Sequence, residues 1–431
     1  MSKSILICTV GGSHQPILTA IRERAPAHVL FFATGRDAAT GRPGSVETIT
    51  GNGLPVEVRR GAEVLERLPN IPTQVGLAAD GFTLELVPAD DLDQAVSTMI
   101  DAIGALRGRF ADAEFVADYT GGTKTMTAAL VMAALESDGV ELQLVTGTRG
   151  DLIRVHDGSQ GGLAVSAEGI RIRRAMAPYL AAWQRYAYGE AADGLARLRI
   201  PRDSGLRADL QIAKGLSHAF DAWDRFDHVD ARDRLELYRA RLGAEAGPVT
   251  GQLFSALKWL TAAADDPRRM PARLWDLWLN AQRRAGQSRY DDAVARGYRL
   301  LEWTAQWLLG TVGIDTADLR EEQIPEGLSI PPNPDGRRQT GLRNAWELAA
   351  HHLGGEVALF VEQERKPMLD QLRKRNYSIL AHGDQPIGRK DWEAFAAWLD
   401  AGLIPLLRAR ATAAGLKTLA PQLPRQAPWR L

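Results

Sequence analysis

The chain has 431 residues, of which 45% are hydrophobic and 24% are charged, as in globular proteins that bury large cores. At about 150 residues per domain, this length predicts roughly three domains. Lysine and arginine total 52 and aspartate and glutamate total 53, so the net charge of −1 excludes a uniformly basic nucleic-acid coat. Any contact with RNA or DNA must therefore come from a local basic patch.

The single cysteine, Cys8, excludes a disulfide framework and a cysteine-based zinc site, and it suits a reducing cytoplasm. The apolar run SILICTV, residues 4–10, is too short to span a membrane, and no small-residue cleavage signal follows it. We therefore interpret this run as the first strand of a cytoplasmic protein that has no membrane partner.

Short apolar runs in the first 180 residues predict strands that are buried on both faces. Helical patterns lie between them, and this alternation predicts a largely parallel, Rossmann-like α/β sheet. Residues 35–45 are a predicted loop, and residues 151–158 a predicted closing hairpin. The predicted strands are 4–10, 28–34, 113–120 and 140–147, and the predicted helices are 15–24, 92–110 and 123–137.

After about residue 171 the strand pattern fades and long amphipathic helices follow, for example at 300–309 and 391–411. A proline- and glycine-rich connection covers 324–341. All 11 tryptophans lie at Trp183 or later, which marks the same change of class. The predicted domains are an α/β domain at 1–170, an all-α middle at 171–285, an all-α C-terminal domain at 286–412 and an extended tail at 413–431.

Two glycine-rich turns fall at the carboxyl edge of the predicted sheet, where open parallel sheets bind ligands. They are TVGGSHQP (9–16) and DYTGGTKT (118–125). Glycine lets backbone N–H groups approach an anion, and the helix that follows adds a positive dipole. Lys124 opposes that dipole, a placement that a bound phosphate would explain. Each loop alone is as well explained by a tight turn, but two at one edge favour a phosphate-bearing ligand.

The second turn is not a Walker A loop, because Thr123 precedes Lys124 where that motif requires glycine. The upstream glycine spacing of the motif is also missing. ATP hydrolysis is therefore unsupported.

Near the C-terminus, RNYSILAHG (375–383) contains an arginine and a histidine seven residues apart. In a helix this spacing returns to the same face after two turns, about 10 Å along the axis. Gly383 suits the position just after a helix, so His382 would lie in the last turn, where the dipole favours imidazolium. A capped or solvated helix end is the alternative interpretation.

Arginine and histidine together suit the cleavage of RNA by its own 2′-hydroxyl. Histidine can assist proton transfer, and guanidinium can stabilise the anionic phosphorane. This chemistry requires no metal, and the 8 histidines of the chain form no evident cluster of metal ligands.

RNYSILAHG resembles the R-x(4–6)-H motif of HEPN ribonucleases, and DYTGGTKTM (118–126) resembles the signature of CARF sensor domains. In this order, the two motifs resemble the CARF–HEPN standalone ribonucleases of type III CRISPR systems. The resemblance covers both ends of the chain and provides no motif for about 171–285. It implies a homodimer whose CARF domains bind a cyclic oligoadenylate of unspecified ring size and whose HEPN domains cleave single-stranded RNA without another cofactor.

Carried over by position, the resemblance implies a catalytic set of Arg375, Asn376 and His382 in a composite site at the dimer interface. For the activator it implies contacts with Gly11, Gly12, Ser13, Thr120, Gly121, Gly122, Thr123 and Lys124.

Residues 290–306 resemble the first HEPN helix. On this helix Glu302 could orient Arg375 through a charge-assisted hydrogen bond, and a solvated helix face is the equally good alternative. Trp303 and Trp307 are better explained as core residues than as platforms for base stacking.

Two other functions stay open. The chain could be a ligand-sensing regulator that binds nucleic acid through its helical middle, although the intact Arg375, Asn376 and His382 count against it. It could also be a ring nuclease that degrades its own cyclic activator, for which Ser13 and Lys124 are the residues to test.

Overall fold

The computed structural model describes residues 3–37, 40–60, 63–146, 161–240, 247–376, 379 and 383–426, apart from the side chains of residues 60, 247–250 and 372–376. The chain divides into two compact units, Met1–Ile172 and Arg173–Leu431. The predicted fold class is confirmed, because a mostly parallel sheet organises the first unit and helices build the second.

The first unit is an α/β structure. Its described strands are β1 (Ser4–Thr9), β2 (His28–Ala33), β3 (Val56–Arg60), β4 (Glu63–Leu68), β5 (Phe82–Leu86), β6 (Glu114–Asp118), β7 (Val140–Thr146) and β8 (Gly161–Val165). Six of them form one sheet in the order β5-β2-β1-β6-β7-β8. Neighbouring strands are parallel except for β7 and β8, and β3 and β4 form a separate antiparallel hairpin.

Helices cover both faces of this sheet. They are α1 (Gln15–Arg24), α2 (Glu47–Thr50), α3 (Ile71–Val75), α4 (Leu92–Arg109) and α5 (Lys124–Glu136). Successive side chains of a strand point to opposite faces. Ile5 and Ile7 therefore pack with α4 and α5, whereas Leu6 and Cys8 pack with α1, α2 and α3. Helical cover on both faces explains why the central strands read as continuous apolar runs.

The predicted strands and helices of this unit are confirmed, each to within two residues at either end. The sequence did not predict the β3–β4 hairpin or β5. Most of β4 is exposed and β5 is an edge strand, so neither carries the apolar run of a strand buried on both faces. The predicted hairpin at 151–158 lies outside the described residues, and β8 supplies the antiparallel partner of β7.

Helices build the second unit, and the first of them begins before residue 172. They are α6 (Glu168–Ala181), α7 (Tyr188–Ala196), α8 (Ser204–Asp224), α9 (His228–Glu236), α10 (Gly247–Leu260), α11 (Arg269–Gly286), α12 (Tyr290–Gly310), α13 (Leu342–Leu353), α14 (Gly355–Asn376), α15 (Arg389–Ala401) and α16 (Leu403–Ala413). The proline- and glycine-rich segment at 324–341 connects α12 to α13, as predicted.

The prediction of one continuous helix over 391–411 is wrong, because α15 ends at Ala401 and α16 starts at Leu403. Pro405 has no N–H for the carbonyl of Ala401, and its ring would clash with that carbonyl inside a continuous helix. Gly402 lies at the break, where an added Cβ would lie only 3.2 Å from the side chain of Glu364.

The described part of the C-terminal tail is anchored by side chains that donate hydrogen bonds to its backbone carbonyls. Trp275 Nε1 donates to the carbonyl of Ala420 at 2.8 Å, and the Tyr188 hydroxyl donates to that of Pro424 at 2.7 Å. Leu423 between them is buried. The tail therefore packs on the helices as far as these residues.

A network of charged side chains is buried inside the helical unit. The guanidinium of Arg283 is fully buried and contacts Asp224 at 2.7 Å and Asp276 at 3.3 Å. Asp276 also accepts hydrogen bonds from Trp223 Nε1 at 3.1 Å and His228 Nε2 at 2.9 Å. The network ties α8 and α9 to α11.

Burial alone would raise the pKa of Asp276, but the charge of Arg283 and the hydrogen bond from His228 outweigh burial and lower the pKa below its ordinary value. A carboxyl group whose pKa is lowered on folding stabilises the folded state fully above its unfolded pKa, which is about 4. The stabilisation is lost as the pH falls through the lower, folded pKa. At neutral pH Asp276 therefore contributes fully.

We expect Asp276→Ala to lower the free energy of unfolding at pH 7 by about 3–5 kcal/mol, because it leaves the buried charge of Arg283 without one of its partners. Chemical denaturation followed by circular dichroism measures this change. Asp233→Ala is the control, because Asp233 pairs with Arg232 on the surface at 2.9 Å, and it should cost less than about 1 kcal/mol. Equal losses in the two variants would contradict this account of the network.

Candidate functional site

The two predicted ligand loops lie at the point where the sheet changes its winding direction. The connection through α1 leads from β1 to β2, and the connection through α5 leads from β6 to β7 on the other side. Doubly wound sheets bind ligands in the crevice at the carboxyl ends of such a strand pair. Residues 11–13 and 120–124 are both at this point, so the structure brings the two loops together.

The two loops touch backbone to backbone. A Cβ atom on Gly11 would lie 2.7 Å from the backbone nitrogen of Gly122, and one on Gly121 would collide with the carbonyl oxygen of Thr9. Gly122 has a φ of +91°, in the region that glycine favours. By contrast, a Cβ on Gly12 would meet nothing within 4 Å. Close packing therefore requires glycine at 11, 121 and 122, whereas Gly12 is open to a ligand.

Threonine hydroxyl groups hold the second loop in place. Thr9 Oγ1 donates to the carbonyl oxygen of Gly121 at 2.6 Å, and Thr127 Oγ1 donates to the same oxygen at 3.0 Å. Thr123 caps α5 by accepting from a backbone N–H of the first turn at 3.2 Å, and it donates to the carbonyl of Ala89 at 2.8 Å. Thr123 therefore has a positioning role that its place in the motif did not reveal.

Asp118 orders the start of the same loop through a hydrogen bond with its backbone. Its carboxylate is buried and accepts the backbone N–H of Thr120 at 3.0 Å and Nε2 of Gln143 at 3.1 Å. Gln143 Oε1 in turn accepts from Arg24 Nε at 2.6 Å. Burial raises the pKa of Asp118 above its ordinary value, and the hydrogen bonds from Thr120 and Gln143 oppose that rise.

Three of the predicted ligand residues are exposed, namely Gly12, Ser13 and Lys124. Lys124 is the first residue of α5, and neither α1 nor α5 carries an acidic residue in its first turn. Two helix N-termini and an ammonium group thus provide a positive potential at this edge. Sequence reasoning did not single out Thr9 or Asp118, because their contacts join segments that are distant in the chain.

The predicted catalytic motif starts at the end of α14. Arg375 and Asn376 are the last two residues of that helix, and their side chains and the whole of His382 lie outside the described residues. The described part of α14 ends at Asn376 and Ile379 is in a turn, and the other residues from 377 to 382 lie outside the described residues. The predicted place of His382 in the last turn of a helix therefore stays a prediction. The convergence of the three residues stays a prediction.

Glu302 is half-buried on α12 and accepts a hydrogen bond from Arg299 at 2.6 Å. The guanidinium of Arg299 lies 5.0 Å from the ring centroid of Trp303. Trp303 and Trp307 pack against the apolar core of the unit. The contact that was predicted from Glu302 to Arg375 involves a side chain outside the described residues, so it also stays a prediction.

Within the described ranges, no group of three or more histidine, cysteine, aspartate or glutamate residues is placed to hold a metal ion. No helix in the same ranges is both long and apolar enough to cross a membrane.

Comparison with known proteins gives a family match in the second unit, where residues 264–401 fit the model of the Csm6 HEPN domain. The chain also resembles the structure of Enterococcus italicus Csm6 bound to cyclic hexa-2′-fluoro-hexa-dAMP, over 97% of this chain and 95% of that chain, with a TM-score of 0.52 and 11% identity. No curated protein sequence matches the chain.

A second solved structure is Can2 of Sulfobacillus thermosulfidooxidans in complex with cyclic tetra-adenylate. It aligns over 56% of this chain and 66% of that chain, with a TM-score of 0.24 and 12% identity.

These findings define the class of the protein as a Rossmann-like α/β unit followed by a helical unit, part of which matches the model of a HEPN domain. The predicted resemblance to the CARF–HEPN ribonucleases of type III CRISPR systems is confirmed by the Csm6 HEPN match and the Csm6-like fold. The match begins at 264, within the segment that the sequence assigned to the helical middle, and the predicted domain boundaries stay predictions.

We expect Gly11→Ala to lower the melting temperature of the protein, because the new methyl group would force the two loops apart. Overpacking of this kind costs about 1–3 kcal/mol. Gly12→Ala adds the same methyl group where nothing lies within 4 Å, so it should leave the melting temperature unchanged. Differential scanning calorimetry of both variants checks this expectation, and equal melting temperatures would contradict the backbone contact.

Proposed function

We propose that the chain is an endoribonuclease of the CARF–HEPN type, in which a cyclic oligoadenylate bound to the first unit activates RNA cleavage by the second. The observation that carries this proposal is the presence in one chain of a Csm6 HEPN match at 264–401 and a sheet whose two glycine loops meet at the switch point. A sensor site and a nuclease domain in the same chain provide both halves of a ligand-controlled enzyme.

The carboxyl edge of the sheet suits the phosphates of a cyclic oligoadenylate. Gly12 and Ser13 are exposed, and Lys124 adds a charge at the N-terminus of α5. The Csm6 of similar fold was solved with a cyclic hexa-adenylate analogue, which supports this class of ligand. In the proposed site, Lys124 and the loop amides hold the phosphates, while Thr9 and Asp118 keep the loops in position.

The catalytic step is proposed to occur in a homodimer, where each chain contributes Arg375, Asn376 and His382 to one composite site. The 2′-hydroxyl of a single-stranded RNA loses its proton and attacks the adjacent phosphorus, and the 5′-oxygen leaves and takes up a proton. His382 assists the proton transfers, and Arg375 stabilises the negative charge on the phosphorane. The products are a 2′,3′-cyclic phosphate and a 5′-hydroxyl end.

No step in this scheme assigns a role to a metal ion, so the proposed reaction is metal-independent. Glu302 lies on α12 and accepts from Arg299, and in the proposed site it orients Arg375 by the same type of charge-assisted hydrogen bond.

We expect His382→Ala to reduce RNA cleavage by at least about 100-fold, because it removes the proton-transfer group, while binding of the activator is unchanged. The measurement is cleavage of a labelled single-stranded RNA in EDTA, with cyclic tri-, tetra- and hexa-adenylate tested separately. His351→Ala removes an exposed histidine from α13 and is the control, which should cut at the wild-type rate.

Cleavage by His382→Ala at the wild-type rate would show that the active site is elsewhere. Loss of wild-type cleavage in EDTA, restored by a divalent cation, would contradict the metal-independent scheme. An absence of cleavage with every ring would instead favour the regulator without nuclease activity.

We expect Lys124→Ala to raise the activator concentration needed for half-maximal cleavage by about 10- to 100-fold, the loss of one charge-assisted hydrogen bond. The maximal rate at saturating activator should be unchanged. Lys3→Ala is the matched control, because Lys3 is exposed and precedes the opposite, amino end of β1. An activation curve for Lys124→Ala that overlays that of Lys3→Ala would remove Lys124 from the ligand site.

A further inference from the structure

Two arginines on α11 form a cationic cluster that the proposed catalytic site does not include. Arg269 and Arg273 lie one helical turn apart, within the residues that match the HEPN domain. The Nε atom of each is buried and has no hydrogen-bond partner. In the part of the chain that the structure describes, neither guanidinium forms an ion pair with a carboxylate, so two like charges lie one turn apart with no direct acidic partner.

Other arginines near this cluster do pair with carboxylates. Arg268 pairs with Asp266 at 2.7 Å, and Arg296 pairs with Asp292 at 3.3 Å. Acidic residues are therefore available to arginines just before α11 and on α12, and the unpaired state of Arg269 and Arg273 is a local feature.

The electrostatic environment of Arg273 is that of a cation that lacks a counter-ion. Burial lowers its pKa, and the charge of Arg269 lowers it further, while Asp276 opposes both effects. The carboxylate of Asp276 is already engaged by Arg283 and His228. An anion placed between Arg269 and Arg273 would relieve their repulsion and restore the solvation that burial removes.

An indole ring completes the cluster. The guanidinium of Arg273 lies 5.7 Å from the ring centroid of Trp303 on α12, and that of Arg299 lies 5.0 Å from the same centroid. Trp303 packs against the core on one side but keeps part of its surface accessible. Sequence reasoning favoured a pure core role for this residue, whereas the structure also places it beside two cations.

We propose that Arg269, Arg273 and Trp303 form an accessory subsite for single-stranded RNA, in which the guanidinium groups bind backbone phosphates and the indole contacts a base. Sites for single-stranded nucleic acid combine cations that follow the backbone with aromatic rings that stack on bases. The inference rests on the proposed ribonuclease function. It adds a second contact with the RNA, away from the phosphate that reacts. Trp303 of this subsite directly follows Glu302 in the sequence.

The test measures RNA binding by the full chain in the His382→Ala background with a saturating cyclic oligoadenylate. Fluorescence anisotropy of a labelled 12-nucleotide RNA is recorded over a range of salt concentrations. The test variant is Arg269→Gln/Arg273→Gln. The control is Arg225→Gln/Arg320→Gln, which removes two exposed arginines paired with Asp221 at 2.9 Å and Glu322 at 3.5 Å.

We expect the test variant to bind RNA at least about tenfold more weakly, and the control to bind within about twofold of the parent. The slope of log K against log salt should fall in magnitude by about 1.4 for two lost phosphate contacts, at about 0.7 for each contact with a single strand. With His382 intact, the same pair of substitutions should raise KM for RNA and leave kcat unchanged. If the double variant fails to fold, each single variant should lower the slope by about 0.7.

An unchanged slope and affinity, in a protein that still cleaves RNA when His382 is present, would overturn the subsite and leave the proposed function standing. If the wild type neither binds nor cleaves RNA with any ring, the proposed function fails and the subsite fails with it. If the double variant changes from dimer to monomer in analytical ultracentrifugation, the cluster belongs to an interface between copies, and the proposal is wrong.

Discussion

The carboxyl edge of the N-terminal sheet depends on a direct backbone contact between the loops that follow β1 and β6. Gly11 and Gly122 approach so closely that a single added Cβ would lie 2.7 Å from a backbone nitrogen. Because no side chain separates the loops, the N-termini of α1 and α5 converge on the switch point, and their dipoles act on the same volume. The hydroxyl of Thr9, which donates to Gly121, supports this contact from within β1. The positive potential of the proposed ligand site follows from this convergence.

Each unit contains a buried carboxylate that joins neighbouring segments, but the charges of the two carboxylates are balanced differently. Asp118 holds the loop after β6, and burial raises its pKa. It contacts no cation directly among the described residues, since Gln143 lies between it and Arg24. Asp276 contacts the guanidinium of Arg283, and its pKa is lowered. Because the folded pKa of Asp118 is raised, its ionisation lowers the stability of the folded state as the pH rises. Because the folded pKa of Asp276 is lowered, its ionisation increases that stability as the pH rises. Ionisation of Asp118 is thus opposed by burial, whereas its hydrogen bond with the Thr120 N–H orders the start of the loop.

The sequence predicted those parts of the fold in which local pattern and burial coincide. The central strands and the helices that cover them have continuous or periodic apolar sequences, and their bounds differ by two residues or fewer. The exposed strand β4 and the break before Leu403 escaped prediction, since the first has no buried face and the second depends on Pro405. The hydrogen bond that Thr9 donates to Gly121 and the one that Asp118 accepts from Gln143 join distant segments, so no local sequence pattern indicates them. Helical spacing and the resemblance both joined Arg375 to His382, and their convergence stays a prediction because His382 lies outside the described residues.

A chain with a net charge of −1 can bind a polyanion only where cations are left without acidic partners. In the helical unit most of the arginines near α11 do have such partners, and the fully buried Arg283 has two. These carboxylates balance the charge of Arg283, so it adds little to the potential outside the protein. The same contacts tie α8 and α9 to α11. Arg269 and Arg273 lie on the same helix and have no such partner among the described residues. The potential that an RNA phosphate would meet on this helix therefore comes from the unpaired arginines, and Trp303 beside Arg273 adds the contact with a base that charge alone does not provide.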